Sequence, residues 1–282
     1  MIEVVKNTIL TRNNELNIYR GCSYGCLYCD CKLKNSDVDI EAVINAKGLL
    51  SLELSDKEPK MLIMGKQGDP YNNYEEKLEL TRGALEVIRD FGFGVTIYTK
   101  SGLIKRDIDL LRQINERAKC VVVMYISTTS EETRGRLEPK ASSIASRIEV
   151  LKMLRELRIP SVIKISPFLP YINDTEVNLK KILEIARDYE CRGIIYYGPG
   201  IMLRDSSKKY FYEGLGKSYP LLKKRYLREL KGKSYLALES NIQSFDYIIK
   251  DFCTKNNLIY DLDEMSYYLN NFDMRNLQLS LF

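Results

Sequence analysis

Apolar positions along this chain alternate between two periods. Short β-branched or aliphatic runs, Lys60–Gly65 (KMLIMG), Gly94–Thr99 (GVTIYT), Cys120–Ser127 (CVVVMYIS), Ser161–Ile165 and Gly193–Tyr197 (GIIYY), predict buried strands. Between them apolar residues recur at helical spacing over Tyr74–Phe91 (through Leu78, Leu85 and Ile88), Ile104–Arg117, Ser143–Leu157 and Thr175–Tyr189. Pro160 stops the third of these helices. A shorter strand over Glu15–Tyr19 begins the series, followed by a weakly alternating stretch, Asp37–Asn45, and a helix over Ala46–Leu54. Strand–helix units in strict alternation predict parallel strands joined by right-handed crossovers. A closed barrel needs eight such units, so six predict an α/β fold of the partial (βα)6 TIM-type barrel kind.

Beyond Arg204 strand signals stop, and tyrosine and lysine become dense. Arg204–Lys233 carries ten basic residues against three acidic ones. Two further helices are predicted near Asn241–Lys255 and Asp263–Leu269. The expected organisation is a barrel over 1–203, a helical extension covering its open side over 204–276, and a short tail over 277–282.

Composition narrows the class. With 45% hydrophobic and 29% charged residues, the 282-residue chain holds enough apolar material for a core. No apolar run reaches eighteen residues, which argues against a membrane span, and the N-terminus lacks a secretory pattern. Net charge is +5, compatible with a nucleic-acid partner without requiring one. Seven cysteines, three of them in one loop, do not form a disulfide framework and point to a reducing, cytoplasmic setting.

That loop lies within Asn17–Lys32 and reads NIYRGCSYGCLYCDCK. Cys22, Cys26 and Cys29 stand at C-x3-C-x2-C spacing on a glycine-bearing turn, able to aim three thiolates at one centre. Soft thiolates suit an iron–sulfur cluster, and three of them leave one iron of a four-iron cubane open. A structural zinc site wants four ligands. Cys31 lies near, but there is no second C-x-x-C pair and no histidine in the chain.

The loop resembles that of the radical S-adenosylmethionine (radical SAM) superfamily, and YRGCSYGCLYCD is similar to its spore photoproduct lyase-like branch. From Ile18 to Tyr235, GDPY after the second strand, TKS after the third, LEP around Glu138 and the P-x-x-P-x-x-N-D stretch ending at Asp174 carry the same resemblance in order. It implies a [4Fe–4S] cluster on Cys22, Cys26 and Cys29, S-adenosylmethionine (SAM) as second cofactor, and a low-potential electron donor as partner. It further implies that Gly65 contacts the aminocarboxylate of SAM, Lys100 pairs with the carboxylate, Ser127 bonds ribose or carboxylate, and Tyr28 packs near adenine. The chain departs from the lyase at two points. Its segment after the second strand has no cysteine to donate hydrogen, offering Lys66 and Gln67 instead, and Asp30 stands where the lyase has a tyrosine. Cys31 and Tyr71 are the replacement candidates for a catalytic role, while Cys120, opening a buried strand, is read as core.

The chain ends Gln278-Leu279-Ser280-Leu281-Phe282. QLSLF is similar to the peptides by which bacterial polymerases and repair proteins hold the sliding clamp, a mode suited to a chain terminus. The expectation is a radical SAM enzyme acting on DNA or another nucleic acid. The alternatives are modification of a peptide or small metabolite, and a non-enzymatic iron–sulfur or zinc adaptor on the clamp.

Overall fold

The computed structural model describes residues 1–29 and 40–272. Asp30, Cys31 and the Gln278–Phe282 tail lie outside the described residues. Strands β1 (Ile2–Val4), β2 (Glu15–Leu16), β3 (Tyr19–Gly21) and β4 (Ile40–Val43) precede helix α1 (Ala46–Leu54) and strand β5 (Met61–Met64). Then follow α2 (Glu75–Leu78), α3 (Leu80–Asp90), β6 (Gly94–Thr99), a 3₁₀ turn (Gly102–Asp107), α4 (Ile108–Arg117) and β7 (Cys120–Tyr125). The barrel part closes with α5 (Glu131–Leu137), α6 (Ile144–Glu156), β8 (Ser161–Ile165), α7 (Glu176–Asp188) and β9 (Ile194–Tyr196). After it come β10 (Ile201–Met202), α8 (Asp205–Ser218), α9 (Pro220–Glu229), β11 (Tyr235–Leu236), α10 (Glu239–Lys255) and α11 (Leu262–Asn270).

Six strands pair in chain order, β2-β5-β6-β7-β8-β9, and every pairing is parallel. This is the partial (βα)6 barrel that the alternation predicts. Strand residues facing the helices, such as Val95, Ile97, Val122, Met124 and Ile163, join the main core with Leu85, Leu111, Leu151 and Leu183. The alternate residues Tyr98, Val121, Val123, Val162 and Ile195 face the inside of the curve and form a core of their own.

Several elements differ from the pattern reading, each for a local reason. Glu15–Tyr19 is two strands: β2 joins the barrel sheet, while β3 pairs with β4 in a separate three-stranded sheet, β1-β4-β3. The helix expected over Tyr74–Phe91 breaks at Glu79 (φ 49°). There the Glu75 carboxylate accepts from the backbone N–H groups of Thr81 (3.0 Å) and Arg82 (3.3 Å) and so caps the start of α3 from the preceding turn. Strand pairing also resumes after Arg204, where β11 runs antiparallel to β10. Helix α5 was not read from the sequence, although Ser130 caps it by accepting from Thr133 N (3.2 Å).

The helices after Arg204 spread to three places. Helices α8 and α9 form a satellite core in which Phe211, Leu215 and Tyr226 pack with Leu27, Leu137 and Leu169. Phe245, Ile249 and Cys253 of α10 belong to the main core. Helix α11 plugs the end of the barrel where the strands begin, placing Met265 and Leu269 against Val121, Val162 and Ile195. Thr96 Oγ1 donates to the Leu269 carbonyl (2.9 Å) and Lys119 Nζ to the Tyr268 carbonyl, fixing the plug by its last turn. One end of the barrel is thereby shut, and the other, where strands finish, stays open.

The cysteine-bearing side of the fold is tied to the barrel by buried charge. Glu75 is fully buried, pairs with Arg106 (2.6 Å) and accepts from the Tyr19 hydroxyl of β3 (2.6 Å). Arg106 and Arg82 both bind Asp107, also fully buried. Removing one member of such a network strands its partners without water. Glu75→Ala is expected to lower stability by about 3–5 kcal/mol, read as a shift of the urea midpoint with the slope unchanged.

Candidate active site

A cleft of about 460 Å³ opens at the carboxyl ends of the strands, within the size range of small-molecule sites. Cys22, Cys26 and Cys29 line one side of it, and Gly65, Lys66, Asp69, Tyr98, Lys100, Tyr125 and Lys164 line the floor and far wall. In parallel barrels the chemistry sits at this end.

The cysteine loop is held from three directions. Gly21 N–H donates to the Gln67 carbonyl (3.1 Å), and Gly68 packs so tightly that a Cβ there would lie 2.2 Å from the Gly21 carbonyl oxygen. Leu27 N–H donates to the Leu137 carbonyl (2.8 Å), and the Tyr24 hydroxyl donates to the Tyr71 carbonyl (2.5 Å). From α8, the Tyr210 hydroxyl donates to the Gly25 carbonyl (3.0 Å).

Electrostatics centre on Glu138, a carboxylate 3% exposed. It accepts from the Tyr28 hydroxyl and from the Arg147 guanidinium, and Lys100 Nζ lies 3.5 Å away. Burial by itself would raise this carboxyl, but the charges of Lys100 and Arg147 and the hydrogen bonds from Tyr28 and Arg147 outweigh it and bring it down to about 2. Lys100 also stands over the Tyr125 ring (3.9 Å) and near the Tyr28 ring (5.4 Å). Asp69 joins two strand ends: it accepts from Thr99 Oγ1 (2.7 Å), Lys100 N–H (2.7 Å) and Tyr71 N–H (2.9 Å), and burial raises its carboxyl.

Three of the expected site residues meet the three thiols in one place, and two others, Ser127 and Tyr71, stand away from the cleft. Tyr28, Gly65 and Lys100 line the cleft. Gly65 holds φ +94°, and a Cβ there would sit 2.2 Å from the Tyr98 carbonyl oxygen, so only glycine fits. Ser127 is 4% exposed and stands behind the cleft, its carbonyl accepting from Asn173 (2.7 Å) and Asn178 (2.9 Å). Tyr71 is 1% exposed and packs in the main core. Cys120 is fully buried in that core. Sequence reasoning assigned no role to Asp69, Glu138, Arg147 or Lys164. Glu138 and Asp69 stood inside quoted motifs, but Arg147 reads as one more helix charge until α6 buries it.

The thiols fit a cluster by donor type. Burial, then the Asp69 charge, pushes the Cys22 thiol up to about 12, and burial raises that of Cys26 as well. The positive charge that thiolates need in such a place is what a bound iron centre brings. The three sulfurs influence one another electrostatically, although among the described residues no three ligating groups already stand as a metal cage.

An open parallel barrel with a three-cysteine loop at the carboxyl ends of its strands defines a class, and the sequence comparison names it. The radical SAM superfamily signature matches residues 16–181, and the chain belongs to that superfamily. An uncharacterized protein of Methanocaldococcus jannaschii is 27% identical over 249 residues, 84% of this chain and 89% of that one. An uncharacterized protein of Mycobacterium tuberculosis is 25% identical over 76% of this chain, and the match spans 66% of that relative's own length. A probable dual-specificity RNA methyltransferase of Bacteroides thetaiotaomicron is 26% identical over 61% of this chain and 49% of its own. Among solved structures, spore photoproduct lyase complexed with dinucleoside spore photoproduct superposes with a TM-score of 0.64 at 12% identity, covering 90% of this chain and 78% of the lyase. Streptococcus suis SuiB bound to its precursor peptide SuiA gives 0.54 at 13% identity, over 92% of this chain and 47% of SuiB. At these identities the structural likeness shows the fold.

The low Glu138 value carries a pH signature. A carboxyl held below its unfolded value stabilises the fold above the ordinary carboxylate range and loses that contribution as pH falls toward the folded value. Metal-free protein is expected to lose about 3 kcal/mol through this group as pH drops from about 4.5 to about 2. Glu138→Gln should flatten that part of a plot of unfolding free energy against pH, and an unchanged slope would count against the assignment.

Proposed function

We propose that this chain is a radical SAM enzyme that holds a [4Fe–4S] cluster on Cys22, Cys26 and Cys29, cleaves S-adenosylmethionine reductively and acts on a nucleic acid. One observation carries the reading: three thiols of one loop share a single cleft with Lys100, which is backed by buried Glu138, and with Gly65 at the open end of a parallel barrel. When bound, the cluster and SAM together supply a 5′-deoxyadenosyl radical, given an electron from a low-potential donor.

The chain's own groups position and shield. Glu138, 3.5 Å from Lys100 Nζ, fixes that side chain in place for the carboxylate of SAM. The bare backbone at Gly65 lets the aminocarboxylate approach. Tyr28, tied to Glu138, holds the cysteine loop at a set height and offers its ring to the adenine. Ser127, with its carbonyl bonded by Asn173 and Asn178, fixes the end of β7 beneath the ligand. Aromatic lining from Tyr24, Tyr98, Tyr125 and Phe168 keeps water from the reacting carbon.

Support for a nucleic acid comes from the surface. Lys209, Lys217, Lys224, Arg228, Lys231 and Lys233 on and after α8 and α9 are all exposed, a basic face suited to phosphates. The RNA methyltransferase relative and the lyase complexed with a dinucleoside point the same way.

Anaerobically reconstituted protein should be brown with about four irons, and Cys22→Ala/Cys26→Ala/Cys29→Ala should be colourless. Dithionite and SAM should yield 5′-deoxyadenosine, and Lys100→Ala should weaken SAM binding. With deuterated DNA, RNA and peptide pools, label should enter 5′-deoxyadenosine from a nucleic acid. Label from peptide alone would replace the substrate class, and one zinc without iron would overturn the enzyme reading. The QLSLF ending supports recruitment by a sliding clamp, and deleting Gln278–Phe282 should abolish recovery in a clamp pull-down.

A further inference from the structure

The loop after β5 runs alongside the cysteine loop and is stitched to it along its length. The Gln67 carbonyl accepts from Gly21 N–H (3.1 Å), the Tyr71 carbonyl from the Tyr24 hydroxyl (2.5 Å), and Ser23 Oγ from Asn73 N–H (3.2 Å). Between these bonds the two backbones touch at Gly68, where a Cβ would lie 2.2 Å from the Gly21 carbonyl oxygen and 3.2 Å from that of Tyr19. A side chain at that position would push the segments apart. Their closeness lets the next residue reach a sulfur: the backbone N–H of Asp69 donates to Cys22, as does that of Tyr24.

Asp69 lines the cleft and faces two ways. Its carboxyl clasps the end of β6: Oδ1 accepts from Thr99 Oγ1 (2.7 Å) and Tyr71 N–H (2.9 Å), and Oδ2 accepts from Lys100 N–H (2.7 Å). Thr99 Oγ1 itself accepts from Ser101 N–H (2.9 Å), which leaves its hydrogen for Asp69. Both carboxyl oxygens are acceptors, the pattern of the ionised form. These donors are all neutral groups, and the Lys100 charge acts on Asp69 less than they do. Glu138 by contrast is matched by Lys100 and Arg147. Among the described residues, the Asp69 charge is thus held by dipoles and that of Glu138 by ions. Their fields also fall on different thiols. Asp69 acts on Cys22, and Glu138 on Cys26, where Lys100 opposes it.

The potential of an iron–sulfur centre follows its net charge, its surroundings and the hydrogen bonds to its sulfurs. A negative charge beside the centre opposes the arrival of an electron. We propose that Asp69 is a positioning residue that sets the reduction potential of the centre on Cys22, Cys26 and Cys29: its N–H fixes the Cys22 sulfur, and its carboxylate, anchored to β6, makes the reduced cluster a stronger electron donor. This rests on the cluster reading above and specifies one control on it. Because the same carboxylate binds the Lys100 backbone, one residue spans the cysteine loop and the strand end that carries Lys100.

The test is a redox titration of the full chain, reconstituted anaerobically, without SAM and at mildly alkaline pH. The reduced cluster is read by its electron paramagnetic resonance signal. Asp69→Asn keeps the shape of the side chain and removes its charge. At one fixed solution potential its ratio of reduced to oxidised cluster should be roughly tenfold above wild type, about 59 mV for a one-electron couple. Thr99→Val removes a donor from the carboxylate and leaves the charge, so its potential should move the opposite way, below wild type. A loop merely loosened by either substitution would move both potentials in one direction, and that result overturns the proposal. An Asp69→Asn potential equal to wild type also overturns it and leaves the cluster reading standing. If Asp69→Asn takes up no iron, Thr99→Val decides, and a potential at or above wild type overturns the proposal. Wild type that takes up no iron overturns both.

Discussion

One buried carboxylate organises the open end of this barrel. Removing an ionised group from water costs several kcal/mol, and only close opposite charges and hydrogen bonds repay it. Glu138 has both: Arg147 from α6, Lys100 from the end of β6 and Tyr28 from the cysteine loop. These partners come from three separate stretches of chain. The carboxylate is stable in place only if the loop, the strand end and the helix arrive together. That condition couples the height of the cysteines to the position of the Lys100 ammonium. Free energy spent on desolvation is thus recovered as geometry at the place where chemistry is done.

A second constraint acts at the opposite end. A six-stranded parallel sheet cannot close on itself, and its inner face would otherwise meet solvent. Helix α11 covers the strand starts with Met265 and Leu269, and the β-branched layer of Val121, Val123, Val162 and Ile195 fills the middle. Above that layer the inner residues change to Tyr98, Tyr125 and Lys164. The inside of the barrel is therefore graded from dry to polar within the length of one strand. A radical generated at the open end would have aromatic walls around it and a hydrophobic stop below.

The alternation of strands and helices was legible because each strand, buried on both faces, reads as an unbroken apolar run. Gly94–Thr99 and Ser161–Ile165 came out with the bounds the pattern predicts. That Cys22, Cys26, Cys29 and Lys100 share one cleft was legible because a cysteine loop and a strand-end motif are local in sequence. Other features were not local. The split of Glu15–Tyr19 depends on which sheet each half joins, and the break at Glu79 depends on where the Glu75 carboxylate is satisfied. Helix α11 looks like a surface helix in sequence, and its role as a plug exists only because the preceding chain delivers it under the barrel.

By itself the sequence determined the fold class, which rests on short-range periodicity, and pointed to the superfamily through the resemblance of its cysteine loop and strand-end motifs. It also placed Cys22, Cys26 and Cys29 together, three residues within one loop. Only the tertiary structure decided which charges face one another. Lys100 finds Glu138, Glu138 finds Arg147, and Lys164 finds Tyr98 of β6, Tyr125 of β7 and Tyr197 just past β9. Such pairings join residues far apart in the chain, and their energy depends on burial that no local pattern encodes.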